Sequence, residues 1–559
     1  MQPHAQPTGP DPDRWTDDPA FAAVEALFAD FQEAWGSWMV VHHRGAPIED
    51  GGETEPAIAA RLVATRSALG AGLDALDDAA LTSDDRAALA NLRAALPELD
   101  AWAAPLDGMI FAEQAGAVDG LELAHRGDAG GDGDADGSAA RFRRATYEAW
   151  GAAMAELRVD GERVDRLTVM ARLAREEDAA MRRRLFLAMA PGWAVLDGPG
   201  GPDDPDGPYR RLLRDAATQW QRSGSPIAAN AAALGMDPAA VEPTMRRLLE
   251  TFRRVAMPAD LVEPWDYRYV VGGLARRLDP EIPAARLRPI NDAHLASIGA
   301  DPVSLGIHYD VVPRPGRPLI PTAFTTNLDI ARRTPDGWRA ATPWVFATYA
   351  EGGLGNLEEL VHESGHALHV AAVRARPALF ASPPDQAAFA EAIADVVGWT
   401  VHEPAFLAEH LGATVSERES VVGRYGNVML DVAWTLFEIE VHRHPDRPPN
   451  EAWAEIIEDG LGIAGHPEWS WWAQRGQLID VPGYLANYAL GAVMVAAVRG
   501  RIRELRGDWS TGDPGWFPFV AERLLRYGGG RNPASLLVEL LGGPLTADAL
   551  LADLERAAA

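Results

Sequence analysis

Apolar side chains recur at three- and four-residue steps along most of this 559-residue chain. This spacing places them on one face of an α-helix. The clearest stripe comprises Phe21, Val24, Phe28, Phe31, Trp35 and Trp38. Asp18 and Pro19 provide an N-cap and a first-turn proline for this helix. Similar helical patterns cover 58–105 and 140–190 and return from 355 nearly to the end. The periodicity therefore predicts a mainly α protein whose apolar stripes face a core.

Strand patterns are confined to residues 304–350, where SLGIHYDVV and TPWVFATYA are rich in β-branched and aromatic residues. We expect one small sheet there, with Trp344–Tyr349 as an edge strand open to an added peptide strand. The polar segments Gly127–Gly137 and Asp197–Pro208 are predicted to be loops. The first resembles the opening of a calcium-binding loop, but Arg143 stands where the bidentate Glu is required, so no calcium site is expected.

The composition excludes several chemistries. The chain has no cysteine, and all 51 basic residues are arginine. It therefore has no disulfides, no thiolate metal sites, no Schiff-base lysine and no Walker A lysine. A net charge of −30 opposes binding to nucleic acid. No apolar run reaches the roughly 18 residues that span a membrane, and no secretory signal is evident, so we expect a cytoplasmic enzyme.

The segment LEELVHESGHALHV at 357–370 contains a candidate metal site. His362 and His366 are four residues apart, so a helix presents both imidazoles on one face. Two neutral imidazoles in this spacing are typical zinc ligands, and the intervening Glu363 is the type of residue that accepts a proton from an attacking water. The alternative is a surface helix with two unrelated histidines. The motif predicts a site for one Zn²⁺ per chain.

A third protein ligand is expected for a hydrolytic zinc site. Glu391 follows His366 by 25 residues within a helical pattern, and Asp395 lies one turn further on the same face. We interpret Glu391 as the third ligand and Asp395 as an acceptor that orients a ligating imidazole. Glu359, one turn before His362, is a further candidate for such an orienting contact. An acidic, solvated stripe is the alternative for these carboxylates.

The motif HESGHALH, followed by FAEAIADVVGW, resembles the gluzincin metallopeptidases, in particular the family of thimet oligopeptidase and oligoendopeptidase F. The EAIAD portion is also similar to the angiotensin-converting enzyme family. Further similar segments are Gly306–Phe324, Tyr425–His442 and Arg523–Leu541, so the resemblance covers about residues 300–559. It implies a two-lobed helical metallopeptidase with a small β-sheet beside the zinc helix and a central channel that admits short peptides.

The resemblance also implies two tyrosines opposite the metal, which match Tyr484 and Tyr488 in VPGYLANYALG. Phenol hydroxyls there would donate to the oxyanion formed from the peptide carbonyl. Two core tyrosines are the alternative. The chain departs from the family in two respects. A histidine that precedes the first tyrosine is missing, with Gln477 or Asp480 in that region, and Gly491 stands at the position of a further tyrosine.

These observations predict a zinc oligopeptidase acting on short peptides, with catalytic residues Glu363, Tyr484 and Tyr488 and metal ligands His362, His366 and Glu391. A carboxypeptidase, a dipeptidyl carboxypeptidase or a catalytically silent peptide-binding protein on the same scaffold are the alternatives. No nucleic acid or membrane partner is expected. The predicted division is an N-terminal helical region, 1–209, and a catalytic region, 210–559. A second metal site at His442, His444 and His466 is not expected, because no carboxylate has ligand spacing to them.

Overall fold

The structure is a computed structural model that describes residues 14–49, 51–109, 138–315, 317, 319–320, 322–381 and 387–558. Helices dominate these residues, which confirms the mainly α prediction. The α-helices are Pro19–Arg44, Glu55–Asp74, Ser83–Met109, Ser138–Ala155, Arg166–Arg175, Ala179–Leu187, Ala190–Asp197, Pro208–Ser223, Pro226–Ala233, Val241–Ala256, Pro264–Val271, Gly273–Leu278, Ala284–Ser297, Leu354–Ala372, Ala378–Ala381, Ala387–Gly398, Pro404–Leu411, Glu417–Arg443, Pro449–Leu461, Gln477–Asp480, Ala486–Arg506, Trp516–Val520, Pro533–Leu541 and Asp548–Arg556.

The first helix, Pro19–Arg44, forms as its sequence predicts. The Asp18 carboxylate accepts hydrogen bonds from two first-turn amides, and Gly45 ends the helix in the left-handed region with φ 65°. In the predicted stripe, Trp35 is half-buried. The other members are buried, namely Phe21, Val24, Phe28, Phe31 and Trp38. Gly36 allows this helix to approach a strand closely, because a Cβ there would lie 2.3 Å from the carbonyl oxygen of Asn327.

Seven short strands are present in the described residues: β1 Leu157–Val159, β2 Glu162–Val164, β3 His308–Asp310, β4 Phe324–Asn327, β5 Arg332–Thr334, β6 Gly337–Arg339 and β7 Pro343–Phe346. Strands β3, β7 and β4 form a three-stranded sheet in that order, as predicted for this region. Strand β7 pairs with β3 in parallel and with β4 antiparallel. The sheet packs beside the helix Leu354–Ala372.

Two strand predictions are corrected. The Trp344 segment is not an edge strand, because β3 and β4 pair with both sides of β7 and its residues are buried. The parallel pairing with β3 joins segments that are distant in sequence, which residue patterns near β7 do not reveal. In addition, β1 and β2 form a hairpin that the sequence analysis missed. Its signal is the Asp160–Gly161 turn, where both residues have positive φ (52° and 88°).

One large apolar core extends from Trp150 to Ala557 and includes residues on both sides of position 209, so the predicted domain division stays a prediction. The first helices form smaller clusters of their own. Phe28 of the first helix packs edge-to-face on Phe380 with 5.1 Å between ring centroids. A buried ion pair of Arg376 with Glu25, 2.7 Å apart, ties the same surfaces together.

Asp197–Pro208 is largely a loop between helices, as predicted, whereas Gly127–Gly137 lies outside the described residues. Within the described ranges, no helix is both long enough and apolar enough to cross a bilayer.

Candidate metal centre

The HExxH helix, Leu354–Ala372, positions the central residues of the candidate site. Its first amide, on Leu354, donates to the carboxylate of Asp279 at 2.9 Å, which caps the helix. His362 and His366 project from the same face, with their Nε2 atoms 3.1 Å apart and their rings nearly perpendicular. Both imidazoles therefore present a ring nitrogen to the same point.

The Glu391 helix, Ala387–Gly398, supplies the third group. One oxygen of Glu391 lies 3.7 Å from Nε2 of His362 and 3.8 Å from Nε2 of His366. A tetrahedral zinc ion with ligands at about 2.0–2.1 Å holds neighbouring ligand atoms about 3.3 Å apart. The three atoms therefore fit one zinc ion. The Glu391 side chain is 52% exposed, which leaves the remaining side of the site open to water and substrate.

A glycine inside the motif explains how the two helices come together. A Cβ on Gly365 would lie 2.5 Å from the carbonyl oxygen of Ala394 and 2.8 Å from its Cα. Only glycine permits this approach without a shift of the backbone. Gly365 thus brings the Glu391 helix within reach of the two imidazoles, and the sequence analysis missed this role.

Asp395 lies beside the imidazole of His362, a predicted metal ligand. Its Oδ1 is 2.6 Å from Nδ1 of His362, and this contact orients Nε2 toward the site. Burial opposes protonation of His362, but Asp395, Glu391 and Glu363 outweigh it and raise the pKa of this imidazole well above its usual value. Burial also acts on Glu391, yet hydrogen bonding to His362 and His366 holds the pKa of this carboxyl well below its usual range.

Glu363 is buried next to the imidazoles, with 6% of its surface exposed. The hydroxyl of Thr325 lies 2.7 Å from its Oε2 and 2.8 Å from its carbonyl oxygen. Thr325 belongs to β4, so the sheet directly contacts the predicted general base. The sequence analysis missed Thr325, whose only signal is its place in a β-branched segment upstream of the motif.

Glu359 contacts the sheet. Its carboxylate accepts a hydrogen bond from the amide of Ala323, 3.3 Å away, at the start of β4. Burial is the main cause of a raised pKa at Glu359, and the neighbouring Glu363 adds to it. This contact links β4 to the HExxH helix, and an orienting role of Glu359 toward an imidazole stays a prediction.

Tyr484 and Tyr488 lie together, with ring centroids 5.8 Å apart. Tyr484 precedes the helix Ala486–Arg506, and Tyr488 lies in the first turn of that helix. Burial raises the pKa of Tyr488, and the Glu391 carboxylate is close enough to add to this shift. Gly491 lies against the Glu391 helix, where a Cβ would be 3.3 Å from that of Ala392. A side chain at position 491 would therefore require the neighbouring Ala392 to shift by a few tenths of an ångström.

The other histidines have separate surroundings. His442 stacks on Trp220, with ring centroids 3.8 Å apart, and contacts the carbonyl of Glu438. His466 lies between two glutamates and stacks on Trp469. Among the described residues, the compact group of metal-ligand side chains is His362, Glu363 and His366, whose ligand atoms all lie within 4.8 Å of one another. Glu391 adds a further possible ligand atom, an oxygen 3.7 and 3.8 Å from the Nε2 atoms of the two imidazoles.

The fold is similar to those of solved helical metallopeptidases. An M32 carboxypeptidase from Deinococcus radiodurans R1 has 15% identity and a TM-score of 0.53, covering 96% of this chain and 98% of that one. PZ peptidase A bound to an inhibitor has 14% identity and a TM-score of 0.51, covering 98% and 97%. A protein assigned as oligoendopeptidase F has 17% identity and a TM-score of 0.50, covering 97% of each.

The fold therefore matches that of the oligoendopeptidase family and its gluzincin relatives, as the sequence resemblance implies. The likeness lies in the fold, since all three identities are low. No protein-family model and no curated protein matches the chain.

Proposed function

We propose that this protein is a zinc-dependent peptidase that hydrolyses peptide bonds in short peptides. One observation carries the proposal: His362, His366 and Glu391 present three donor atoms 3.1–3.8 Å apart beside the buried carboxylate of Glu363. This is the donor set and spacing of a hydrolytic zinc site with an open position. When bound, zinc would lower the pKa of water to about 7 and polarise the scissile carbonyl.

Glu363 is the proposed general base. Its carboxylate accepts a proton from the attacking water and then delivers it to the nitrogen of the leaving amine. Thr325 keeps the carboxylate in place through its hydroxyl, 2.7 Å away. Asp395 holds His362 so that its Nε2 faces the site. The peptide carbonyl becomes a tetrahedral oxyanion, and the hydroxyls of Tyr484 and Tyr488 are the proposed donors to it.

Strand β4 is the proposed dock for the peptide backbone. The amide of Leu328 donates to the carbonyl of Thr342, so these opposite residues form a hydrogen-bonded pair. Hydrogen-bonded and non-hydrogen-bonded pairs alternate along an antiparallel ladder, so the main-chain N–H and C=O groups of Thr325 point away from β7. The first helix occupies this edge at Asn327, through the close approach of Gly36. An added peptide strand at Thr325 would run next to Glu363. This assignment replaces the expected docking at the Trp344 segment.

Glu363→Gln tests the mechanism, because it removes the base while keeping a side chain of similar size. We expect the purified wild type to cleave a quenched peptide library and the variant to be reduced by about 10²- to 10⁴-fold. Glu409→Gln, at an exposed glutamate, is the control and should retain wild-type activity. Equal cleavage by wild type and Glu363→Gln would refute the proposed base. A wild type that binds these peptides without cleaving them would instead support the silent peptide-binding alternative.

Elemental analysis tests the metal. We expect about one zinc per chain, and loss of zinc when both His362 and His366 are replaced by alanine. A wild type prepared with excess zinc that retains none after dialysis would refute the metal assignment.

A further inference from the structure

A row of three side chains crosses the small sheet on the face that packs against the HExxH helix. In the sheet register, Tyr309 of β3 and Thr325 of β4 both lie opposite Val345 of β7. Directly opposite residues of neighbouring strands project their side chains to the same face of a sheet. Thr325 contacts Glu363 and Tyr309 contacts Ser364, so this face is turned toward the HExxH helix. We call Tyr309, Val345 and Thr325 the cross-strand row.

The two ends of the cross-strand row contact consecutive residues of the helix. At one end, the hydroxyl of Thr325 lies 2.7 Å from Oε2 of Glu363 and 2.8 Å from its carbonyl oxygen. At the other end, the hydroxyl of Tyr309 lies 2.9 Å from Oγ of Ser364. Consecutive residues point about 100° apart around an α-helix, so contacts on both of them restrict rotation of the helix about its axis. Such a rotation would move Glu363 and both imidazoles relative to the Glu391 helix.

Asn291 closes a ring of hydrogen bonds at the Tyr309 end of the row. Its Nδ2 donates to the hydroxyl of Tyr309 at 3.2 Å, and its Oδ1 accepts from Oγ of Ser364 at 2.9 Å. With the Tyr309 hydroxyl donating to Ser364, each side chain can donate once and accept once around the ring, and bonds in such a ring strengthen one another. The hydroxyl of Ser364 also contacts the carbonyl oxygen of Leu360, 2.7 Å away. Asn291 and Ser364 are fully buried, so water does not compete for these groups.

The aromatic ring of Tyr309 is held from a further side. The centre of the Arg288 guanidinium lies 3.5 Å from the ring centroid of Tyr309, and its Nη2 donates to the carboxylate of Asp292 at 2.8 Å. A cation over the face of an aromatic ring is attracted to it. Arg288, Asn291 and Asp292 all belong to the helix Ala284–Ser297. Tyr309 therefore joins this helix to the HExxH helix.

We propose that Tyr309 is a positioning residue for Glu363. Through the ring with Asn291 and Ser364, Tyr309 fixes the rotation of the HExxH helix that places the general base beside the metal-binding imidazoles. This inference rests on the proposed function, and Tyr309 acts through Ser364 and the helix backbone rather than on the substrate. Loss of its hydroxyl should slow the chemical step and leave peptide binding nearly intact, because a displacement of a catalytic group by about 1 Å can cost about 100-fold in rate.

Tyr309→Phe removes the hydroxyl and keeps the aromatic ring beside Arg288. We expect kcat for cleavage of a quenched peptide to fall by about 10- to 100-fold, with KM within about twofold of the wild type and about one zinc per chain. Tyr267→Phe is the matched control, because the buried Tyr267 hydroxyl donates to the carbonyl of Gly426 at 2.6 Å. This control should lose stability in urea unfolding and keep the wild-type kcat, which is the result that a merely structural role of Tyr309 would also give.

Two further variants test the ring and the row. Ser364→Ala opens the ring from the other side, so its kcat should fall as in Tyr309→Phe, and the double variant should fall by less than about threefold more. Thr325→Val removes the contact at the far end of the row. In the Thr325→Val background, Tyr309→Phe should lower kcat by less than about threefold, because both ends of the row restrict the same rotation.

Several results would overturn the inference: a kcat of Tyr309→Phe within about threefold of the wild type, a loss that appears in KM instead of kcat, loss of zinc from this variant, or fully multiplicative losses in the Thr325→Val background. If Tyr309→Phe does not fold, the kcat of Ser364→Ala decides the same question. Failure of the proposed function has a different signature, because the wild type itself then cleaves no peptide, and this inference is refuted with it.

Discussion

Glu438 provides a prediction whose size follows from the structure. This glutamate is 1% exposed, one oxygen accepts a hydrogen bond from the amide of Gly483, and the other has no hydrogen-bond partner among the described residues. Burial raises the pKa of Glu438 from 4.5 to about 8. Gly483 directly precedes Tyr484, so this buried carboxyl also supports the segment that carries a predicted oxyanion donor.

The sign of the effect follows from proton binding. In the unfolded chain the carboxyl loses its proton near its ordinary pKa, whereas in the folded chain it keeps the proton until about pH 8. The folded state binds more protons between these values, so its stability falls as the pH rises through this window. At 1.36 kcal/mol per pKa unit, the loss between pH 5 and pH 8 is about 3–4 kcal/mol.

Glu438→Gln removes this titration while keeping the size of the side chain. We expect the free energy of unfolding of the variant, minus that of the wild type, to increase by about 3–4 kcal/mol from pH 5 to pH 8. Urea unfolding followed by tryptophan fluorescence at pH 5, 6, 7 and 8 measures this difference, and Glu409→Gln serves as the exposed control. A difference that changes by less than about 1 kcal/mol, or that decreases with pH, would refute the reasoning.

Three further predictions concern the candidate site. Asp395→Asn should weaken zinc binding by about 10- to 100-fold, as measured by competition with a chelating dye, because the variant no longer offers His362 a carboxylate; unchanged affinity would contradict this. Gly365→Ala should destabilise the fold by about 1–3 kcal/mol in urea unfolding and also weaken zinc binding, because the new methyl group displaces the Glu391 helix; a variant of wild-type stability would contradict the packing argument. Tyr484→Phe should lower kcat by about 10²- to 10³-fold with little change in KM, and an unaffected kcat would remove this phenol from the mechanism.

Local sequence patterns were sufficient for the centre of the candidate site. His362, Glu363 and His366 lie within one helical stretch, so their relative positions follow from helix geometry alone. Asp395 and Glu391 share a second helix for the same reason. Their distances to the imidazoles depend on how the two helices pack, and the structure shows that Gly365 controls this packing.

At the candidate site, the contacts that sequence analysis missed join distant segments. Thr325 reaches Glu363 because β4 packs beside the HExxH helix, and nothing in its immediate neighbours predicts that contact. The edge of the sheet was misassigned because β3 and β7 pair in parallel across more than thirty residues.

The sequence by itself determined the mainly helical fold class, the two histidines and glutamate of the HExxH motif, and the absence of lysine, which leaves arginine as the strongly basic side chain. These properties depend on composition or on residues separated by a few positions, for which the geometry of one helix is sufficient. Only the tertiary structure decided the edge strand, the contact of Thr325 with Glu363, and the close packing of Gly365 against Ala394. Those features depend on packing between segments far apart in the chain, where spacing in sequence carries no information about distance.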